Sequence, residues 1–167
     1  MTEEIKRNYL EINSIQDLKE GNKPSEDYSI NLIDPINFQL NKFFYKNIGK
    51  NHKWVDRLIW SEEQWINYVS SKNVQTFVLK NREDLVGFFE LIFHLEKDET
   101  EIAYFGILEE YQNKKLGSYL LSEAIKKSFK ININRVWVHT CSLDHKNALN
   151  NYISRGMKVY KTEILKI

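Results

Sequence analysis

The sequence predicts an α+β fold, a mixed and mostly antiparallel twisted sheet with flanking helices and one parallel βαβ crossover. Three β-branched and aromatic runs, QTFVLK (75–80), LVGFFELIFHL (85–95) and EIAYFGIL (101–108), are joined by the short polar turns NRED and EKDET, the pattern of an antiparallel meander. An amphipathic helix then separates the third run from RVWVHTC (135–141). Two strands with a helix between them most simply lie parallel in one sheet. The length, 167 residues, suits one domain with a real core.

The remaining elements follow in chain order. YLEINSI (9–15) reads as a strand, and KEGNKPSED (19–27) clusters turn formers and charges into a surface loop. SINLID (29–34) alternates weakly and ends at Pro35, whose ring can open a helix. Residues 36–48 carry the apolar stripe Phe38, Leu40, Phe43 and Phe44, with Gly49 as a stop. NHKWVDRLIW (51–60) is a loop rich in aromatics and charge, and the SEEQ that begins at Ser61 is a capping box for a helix over 62–71. Beyond the meander, Leu116, Leu120 and Ala124, flanked by Leu121, Ile125 and Phe129, mark the amphipathic helix. Asp144 is placed to cap the next helix, Ala148, Leu149, Tyr152 and Ile153 face inward, Gly156 ends it in a left-handed turn, and KVYKTEIL (158–165) is a last strand.

Composition excludes several functions. Basic and acidic residues number 24 and 23, a net charge of +1, which supplies no field for gripping nucleic acid or an anionic membrane. With 42% hydrophobic residues the chain is too apolar for disorder, and its apolar runs fall short of the ~20 residues that cross a bilayer. Cys141 is the lone cysteine and MTEEIKRNYL lacks the features of a secretory signal, so a cytoplasmic location is expected. No Cys and His spacing suggests a metal site. A monomer or a homodimer paired through the last strand both remain open.

Chemistry concentrates where a strand feeds a helix. The connection EEYQNKKLGS, Glu109 to Ser118, opens a helix whose unpaired amides converge on whatever lies before them. Gln112 is a donor, Lys114 and Lys115 add positive charge, Gly117 permits close approach and Ser118 offers a hydroxyl, so a diphosphate would be at home. A plain strand-to-helix turn also contains glycine and solvated lysines, and one glycine is a weak motif.

The order of segments sharpens this reading. EIAYFGILEEYQNKKLGSYLL, followed some thirty residues on by DHKNALNNYISRGM, resembles the GNAT superfamily of acyl-CoA N-acyltransferases over about residues 75–163. In that family the loop carries Gln or Arg, then x-x-Gly-x-Gly or Ala. Here Gln112, Leu116, Gly117, Leu120 and Leu121 fit, whereas Lys115 and Asn113 stand where glycines are usual. Asn147, Ala148, Tyr152 and Gly156 match a second signature, with Met157 replacing its aromatic. The resemblance implies a single N-acetyltransferase domain over 1–167, with a cofactor-binding core at about 75–163 and an acceptor-side part at about 1–74. It implies acetyl-CoA or another acyl-CoA as co-substrate, no metal, and an amine acceptor. Residues Gln112, Asn113, Lys114, Lys115, Leu116, Gly117 and Ser118 would hold the pyrophosphate, Ile107 and Leu108 the pantetheine amides, Asn147 the pantetheine arm, and Tyr152 would lie near the sulfur. As an ordinary core tyrosine and an exposed first-turn residue, Tyr152 and Asn147 also have structural readings.

An alkylamine with a pKa of ~10.4 is neutral in only about one molecule in 2,500 at pH 7, so a proton acceptor is worth having. Glu101 opens the strand EIAYFGI six residues before Ile107, the spacing at which histone-acetylating members of the superfamily place their catalytic Glu. Its rival is Glu90 in GFFELIF, since apolar neighbours disfavour a carboxylate's charge and suit either a base or an amine anchor. Trp54, Asp56, Arg57 and Trp60 form a patch that in the superfamily borders the acceptor pocket, and Trp54, Arg57, Glu90 and Tyr104 make up the acceptor-side set. Their rings could box an ammonium, or the tryptophans could simply pin a loop. His139 alternates with Val136 and Val138 on a strand, as a core imidazole or a pocket group. The alternatives to an enzyme are a non-catalytic acyl-CoA-binding module and an interaction domain using the Trp54 and Trp60 patch.

Overall fold

A computed structural model describes residues 3–166. Its strands are β1 (Glu4–Ile12), β2 (Tyr28–Leu32), β3 (Val74–Asn81), β4 (Asp84–His94), β5 (Glu99–Ile107), β6 (Arg135–Cys141) and β7 (Lys158–Lys166), and its helices are α1 (Phe38–Gly49), α2 (Glu62–Ser70), α3 (Leu116–Ser128) and α4 (Ala148–Ser154). One seven-stranded sheet has the order β2-β3-β4-β5-β6-β1-β7. Only β5 and β6 run parallel, and the other neighbours are antiparallel. The predicted meander, helix and crossover are therefore all present. Among the described residues no helix is long and apolar enough to cross a membrane.

Alternation along the strands divides the core between two faces. Phe89, Leu91, Ile102, Val136, Leu10 and Ile12 pack with Leu116, Leu120, Leu121 and Ile125 of α3, while Phe88, Val78 and Leu108 pack with Phe44 and Ile48 of α1. A register shift between Glu90 and Leu91, where Tyr104 and then Ile102 are the opposing residues, leaves Ala103 as an extra residue in β5. Such a bulge re-aims the side chains that follow. Tyr104 and Glu101 thus share the α1 face although three positions apart.

Several boundaries differ from the sequence reading for local reasons. The first strand runs from Glu4 to Ile12 and stops where Ser14 caps a short 3-10 turn through its bond to the Gln16 amide. Helix α1 begins at Phe38 rather than at residue 36, because Asn37 caps it at the Gln39 amide. Gly49 is the last residue of α1, with Lys50 as its C-cap. The Ser61 and Gln64 capping box forms as predicted. Asp144 does not cap α4, because its carboxylate accepts bonds from the Thr140 hydroxyl and the Cys141 amide, and Asn147 occupies the cap position with no side-chain bond. Gly156 has φ +106° and would drive a Cβ into the Asp17 carbonyl, so only glycine fits this left-handed turn. The loop after β1 is strapped to α3, since the Gly21 amide donates to Ser122 Oγ at 2.6 Å and Lys126 pairs with Glu20.

Candidate active site

The parallel pair is paired for only three positions, Glu99 to Glu101 against Arg135 to Trp137. Beyond them β5 continues to Ile107 and β6 to Cys141 without facing residues, so the strands part and open a cavity of about 1130 Å³ through the sheet. The Leu108 amide donates to the Val86 carbonyl at 2.8 Å. With the register Gly87 to Ile107, Phe88 to Gly106 and Phe89 to Phe105, two-residue alternation turns the peptide groups of Phe105 and Ile107 away from β4 and toward the gap.

The turn from β5 into α3 closes one end of the cavity. Gln112 donates from Nε2 to the Ile107 carbonyl at 3.3 Å. Asn113 and Lys115 both take left-handed backbone, at φ 64° and 62°, so the path that glycines would ease is adopted here by asparagine and lysine. Lys115 is the N-cap of α3 and supplies no side-chain cap, leaving the amides of the first turn without an intrahelical partner. A Cβ at Gly117 would meet only the Asn151 amide nitrogen, at 3.4 Å, so this side of the turn is open. Uncapped amides, Lys115 and open space together fit an anionic group such as a diphosphate. Ser118 spends its hydroxyl on the Lys115 carbonyl at 3.0 Å, and the Lys114 ammonium lies 5.3 Å from the Tyr111 ring centroid.

Helix α4 forms a wall. Asn151 donates to the Gly117 carbonyl at 3.0 Å, tying α4 to the start of α3. Asn147 lines the cavity and its amide donates to His145 Nδ1 at 3.1 Å. Tyr152 is buried, its ring 6.3 Å from that of Phe105. Desolvation, and secondarily the charge of Asp144, push its phenol well above the usual value, so it stays protonated as a donor.

Glu101 lies on the α1 face of the gap, lining the cavity, and accepts a bond from His94 Nε2 at 3.0 Å. His94 stacks on Trp137 at 6.4 Å, and the Trp137 indole donates to Glu99 at 3.1 Å. Glu90 is elsewhere and fully enclosed. Its Oε1 accepts from Arg57 Nη1 at 2.9 Å and from the Tyr68 hydroxyl at 2.7 Å, and its Oε2 accepts from Asn41 Nδ2 at 2.8 Å. The aromatic box exists, but Arg57 fills it, with the guanidinium 4.3 to 5.7 Å from the ring centroids of Tyr45, Trp60, Trp65, Tyr68 and Tyr104. Trp54 packs edge-on to Tyr104 at 4.8 Å.

The structure therefore gathers Gln112, Asn113, Lys115 to Ser118, Asn147 and Tyr152 around one end of the cavity and Glu101 on its other face, while Lys114 is not among the lining residues. It brings Arg57, Glu90 and Tyr104 together as a buried cluster, with Trp54 at its edge. Sequence reasoning missed His94, Asn41 and Tyr68. The available signal was Glu90 itself, since a carboxylate amid an apolar strand requires partners.

A sequence model described as "Acetyltransferase (GNAT) family" matches residues 38–157. Among curated proteins none matches. The solved structures that resemble this chain include a GCN5-related N-acetyltransferase from Sphaerobacter thermophilus, 15% identical with a TM-score of 0.72, covering 97% of this chain and 50% of that one. A second, from Kribbella flavida, is 13% identical with a TM-score of 0.67 and coverage of 96% and 56%. An aminoglycoside acetyltransferase from an uncultured soil metagenomic sample, in complex with trehalose, is 15% identical with a TM-score of 0.66 and coverage of 80% and 90%. At such identities the likeness is one of fold. The chain spans 50 to 56% of the length of the two GCN5-related proteins.

Proposed function

This chain belongs to the GNAT acetyltransferase family, and we propose that residues 1–167 act as one N-acetyltransferase domain that moves an acetyl group from acetyl-CoA to a primary amine by direct attack. The observation that carries this reading is the gap between β5 and β6, which joins an uncapped helix start on one side of the sheet to a carboxylate on the other. When bound, acetyl-CoA supplies a thioester carbonyl. The first-turn amides of α3 with Gln112 to Ser118 would hold the pyrophosphate, and Ile107, on the open edge of β5, would pair with the pantetheine, whereas the Leu108 amide and carbonyl are already engaged by Val86 and Tyr111. Asn147 faces the same cavity for the arm.

In this reading Glu101 takes the proton of the incoming ammonium, directly or through water, with His94 fixing the carboxylate. The Ile107 amide polarises the carbonyl, and Tyr152 protonates the departing thiolate. Glu90 is left a structural role, because its oxygens are all engaged within the fold.

Calorimetry with acetyl-CoA, joined to a thiol-release assay over a panel of primary amines, tests the proposal. Binding with release under at least one amine is the expected result. Binding without release under any amine points instead to a non-catalytic acyl-CoA-binding module, and an absence of binding overturns both.

A further inference from the structure

Among the described residues, the open half of the α1 face carries an arginine that no carboxylate of the fold holds in an ion pair. In register, Glu101 lies beside Trp137, and Trp137, His139 and Cys141 alternate along one face of β6. Cys141 pairs with Arg7 of β1, and Arg7 pairs with Glu163 of β7. Glu101 and Arg7 therefore project from the same face of the sheet, and both line the cavity. The carboxylates on the neighbouring strands are partnered, whereas Asp56 of the loop before α2 also lines the cavity, is exposed and forms no ion pair among the described residues. Glu11 and Glu99 are held by Arg135 at 3.0 and 3.3 Å. Glu163 is held by Lys161 at 2.8 Å and accepts from the Tyr9 hydroxyl at 3.2 Å. Glu101 has His94.

Arg7 is different. Among the described residues it forms no ion pair, and its Nε is shielded from solvent with no hydrogen-bond partner. A buried, unbonded guanidinium nitrogen is costly and calls for an explanation. Its planar fork matches an oxyanion. Another arginine on the cavity with a shielded, unbonded Nε, Arg155, lies one helical turn beyond Asn151, which is tied to Gly117, and so belongs to the loop end. Arg7 stands on the opposite side, with Glu101.

We infer that the acceptor is an amine that also carries an oxyanion, a carboxylate or a phosphate, and that Arg7 binds this group while the amine faces Glu101. This rests on the acetyl-transfer reading above and narrows its substrate class. The two charges are complementary to a zwitterionic acceptor, and the unpaired guanidinium repels a polycation.

Matched acceptors test it: L-amino acids against their carboxamides for the carboxylate, glucosamine 6-phosphate against glucosamine for the phosphate, and spermidine as the polycation. Thiol release by the wild type should favour the anionic member of at least one pair by about tenfold or more in kcat/KM, the scale of a charge-assisted bond. In Arg7→Gln that ratio should fall below about threefold through a rise in KM, with Arg7→Lys intermediate. Titration of the same acids into the protein without acetyl-CoA should show binding that Arg7→Gln loses. That second readout stands even if acetyl transfer fails, so the two ideas fail separately. Preference for spermidine or the neutral members, or an anion preference that persists in Arg7→Gln, would overturn the inference. Should Arg7→Gln not fold, the wild-type acceptor ratios and the Arg7→Lys titration decide it.

Discussion

Arg57 and Glu90, from a loop and from the middle of β4, meet at 2.9 Å with 7% and 0% of their side chains exposed. Arg57 fills the aromatic box beside the cavity, so the rings of Tyr45, Trp60, Trp65, Tyr68 and Tyr104 surround a cation of the chain's own. Removing one partner strands the other charge in the core. Glu90→Gln should cost about 3–5 kcal/mol, equivalent to a fall in Tm of roughly 10 °C for a domain of this size. Urea unfolding checks this, and the double variant Arg57→Met with Glu90→Leu should cost less than the sum of the two single changes, because neither charge is then left alone.

Lys115 sits at φ 62° and ψ 18° as the N-cap of α3. Left-handed backbone costs a side-chain-bearing residue about 1–2 kcal/mol, and glycine returns part of that through its greater unfolded entropy. Lys115→Gly should stabilise by about 0.5–1 kcal/mol, and Lys115→Val, whose branched side chain suits this region worst, should lose about 1–2 kcal/mol. Thermal melts read both. If the lysine charge serves the pyrophosphate, Lys115→Gly should weaken acetyl-CoA binding while raising Tm, a split that a purely structural lysine would not produce.

Local and long-range elements differ in how legible they were in the sequence. Strand runs, the amphipathic spacing of Leu116 to Phe129 and the Ser61 capping box are local patterns, and each appears where its period places it. The gap between β5 and β6 follows from the helix between them, which could be read, but where the pairing ends could not. Nothing local says that Ala103 bulges and thereby puts Glu101 and Tyr104 on one face. Arg57 and Glu90 are thirty-three residues apart, and only long-range packing tells whether rings and carboxylate await a ligand or a neighbour. Asp144 had the right chemistry for a cap and was claimed by Thr140 and Cys141 instead.

Glu101 carries a prediction about rate and pH. A base must be ionised and must reach the proton, and His94 holds this carboxylate at the cavity wall. Glu101→Gln keeps the shape and removes the basicity, so kcat/KM on an alkylamine at pH 7 should fall about 10²-fold. The loss should shrink as pH rises toward the amine's own value of ~10.4, where free base becomes abundant without help. A pH-rate profile parallel to that of the wild type would remove Glu101 from the proton path.

Tyr152 is buried against Phe105 and keeps its proton. If it protonates the leaving thiolate, Tyr152→Phe should lower kcat by about 10²-fold, the lower end for a positioned acid. The Kd for acetyl-CoA should stay within about threefold, since the ring and its packing remain. Single-turnover assays and calorimetry separate the two quantities. Equal kcat in both proteins would leave Tyr152 as a core residue.

Tyr68, Tyr104 and Tyr152 set the alkaline limit of the fold. Burial is the largest cause of the rise in all three, reinforced by the Glu90 charge at Tyr68 and opposed by Arg57 at Tyr104. Each phenol is thus a weaker acid folded than in the unfolded chain, where it titrates near ~10. A folded value above the unfolded one means that the native state binds more protons once pH passes ~10, so the contribution is complete below that pH and is lost as pH climbs. Absorbance of phenolate should accordingly show a subset of the nine tyrosines silent until the protein unfolds, with far-ultraviolet ellipticity falling in the same step. In Tyr152→Phe the drop in stability between pH 10 and the transition should be shallower. Smooth ionisation of every tyrosine near pH 10 with the fold intact would contradict the burial of these phenols.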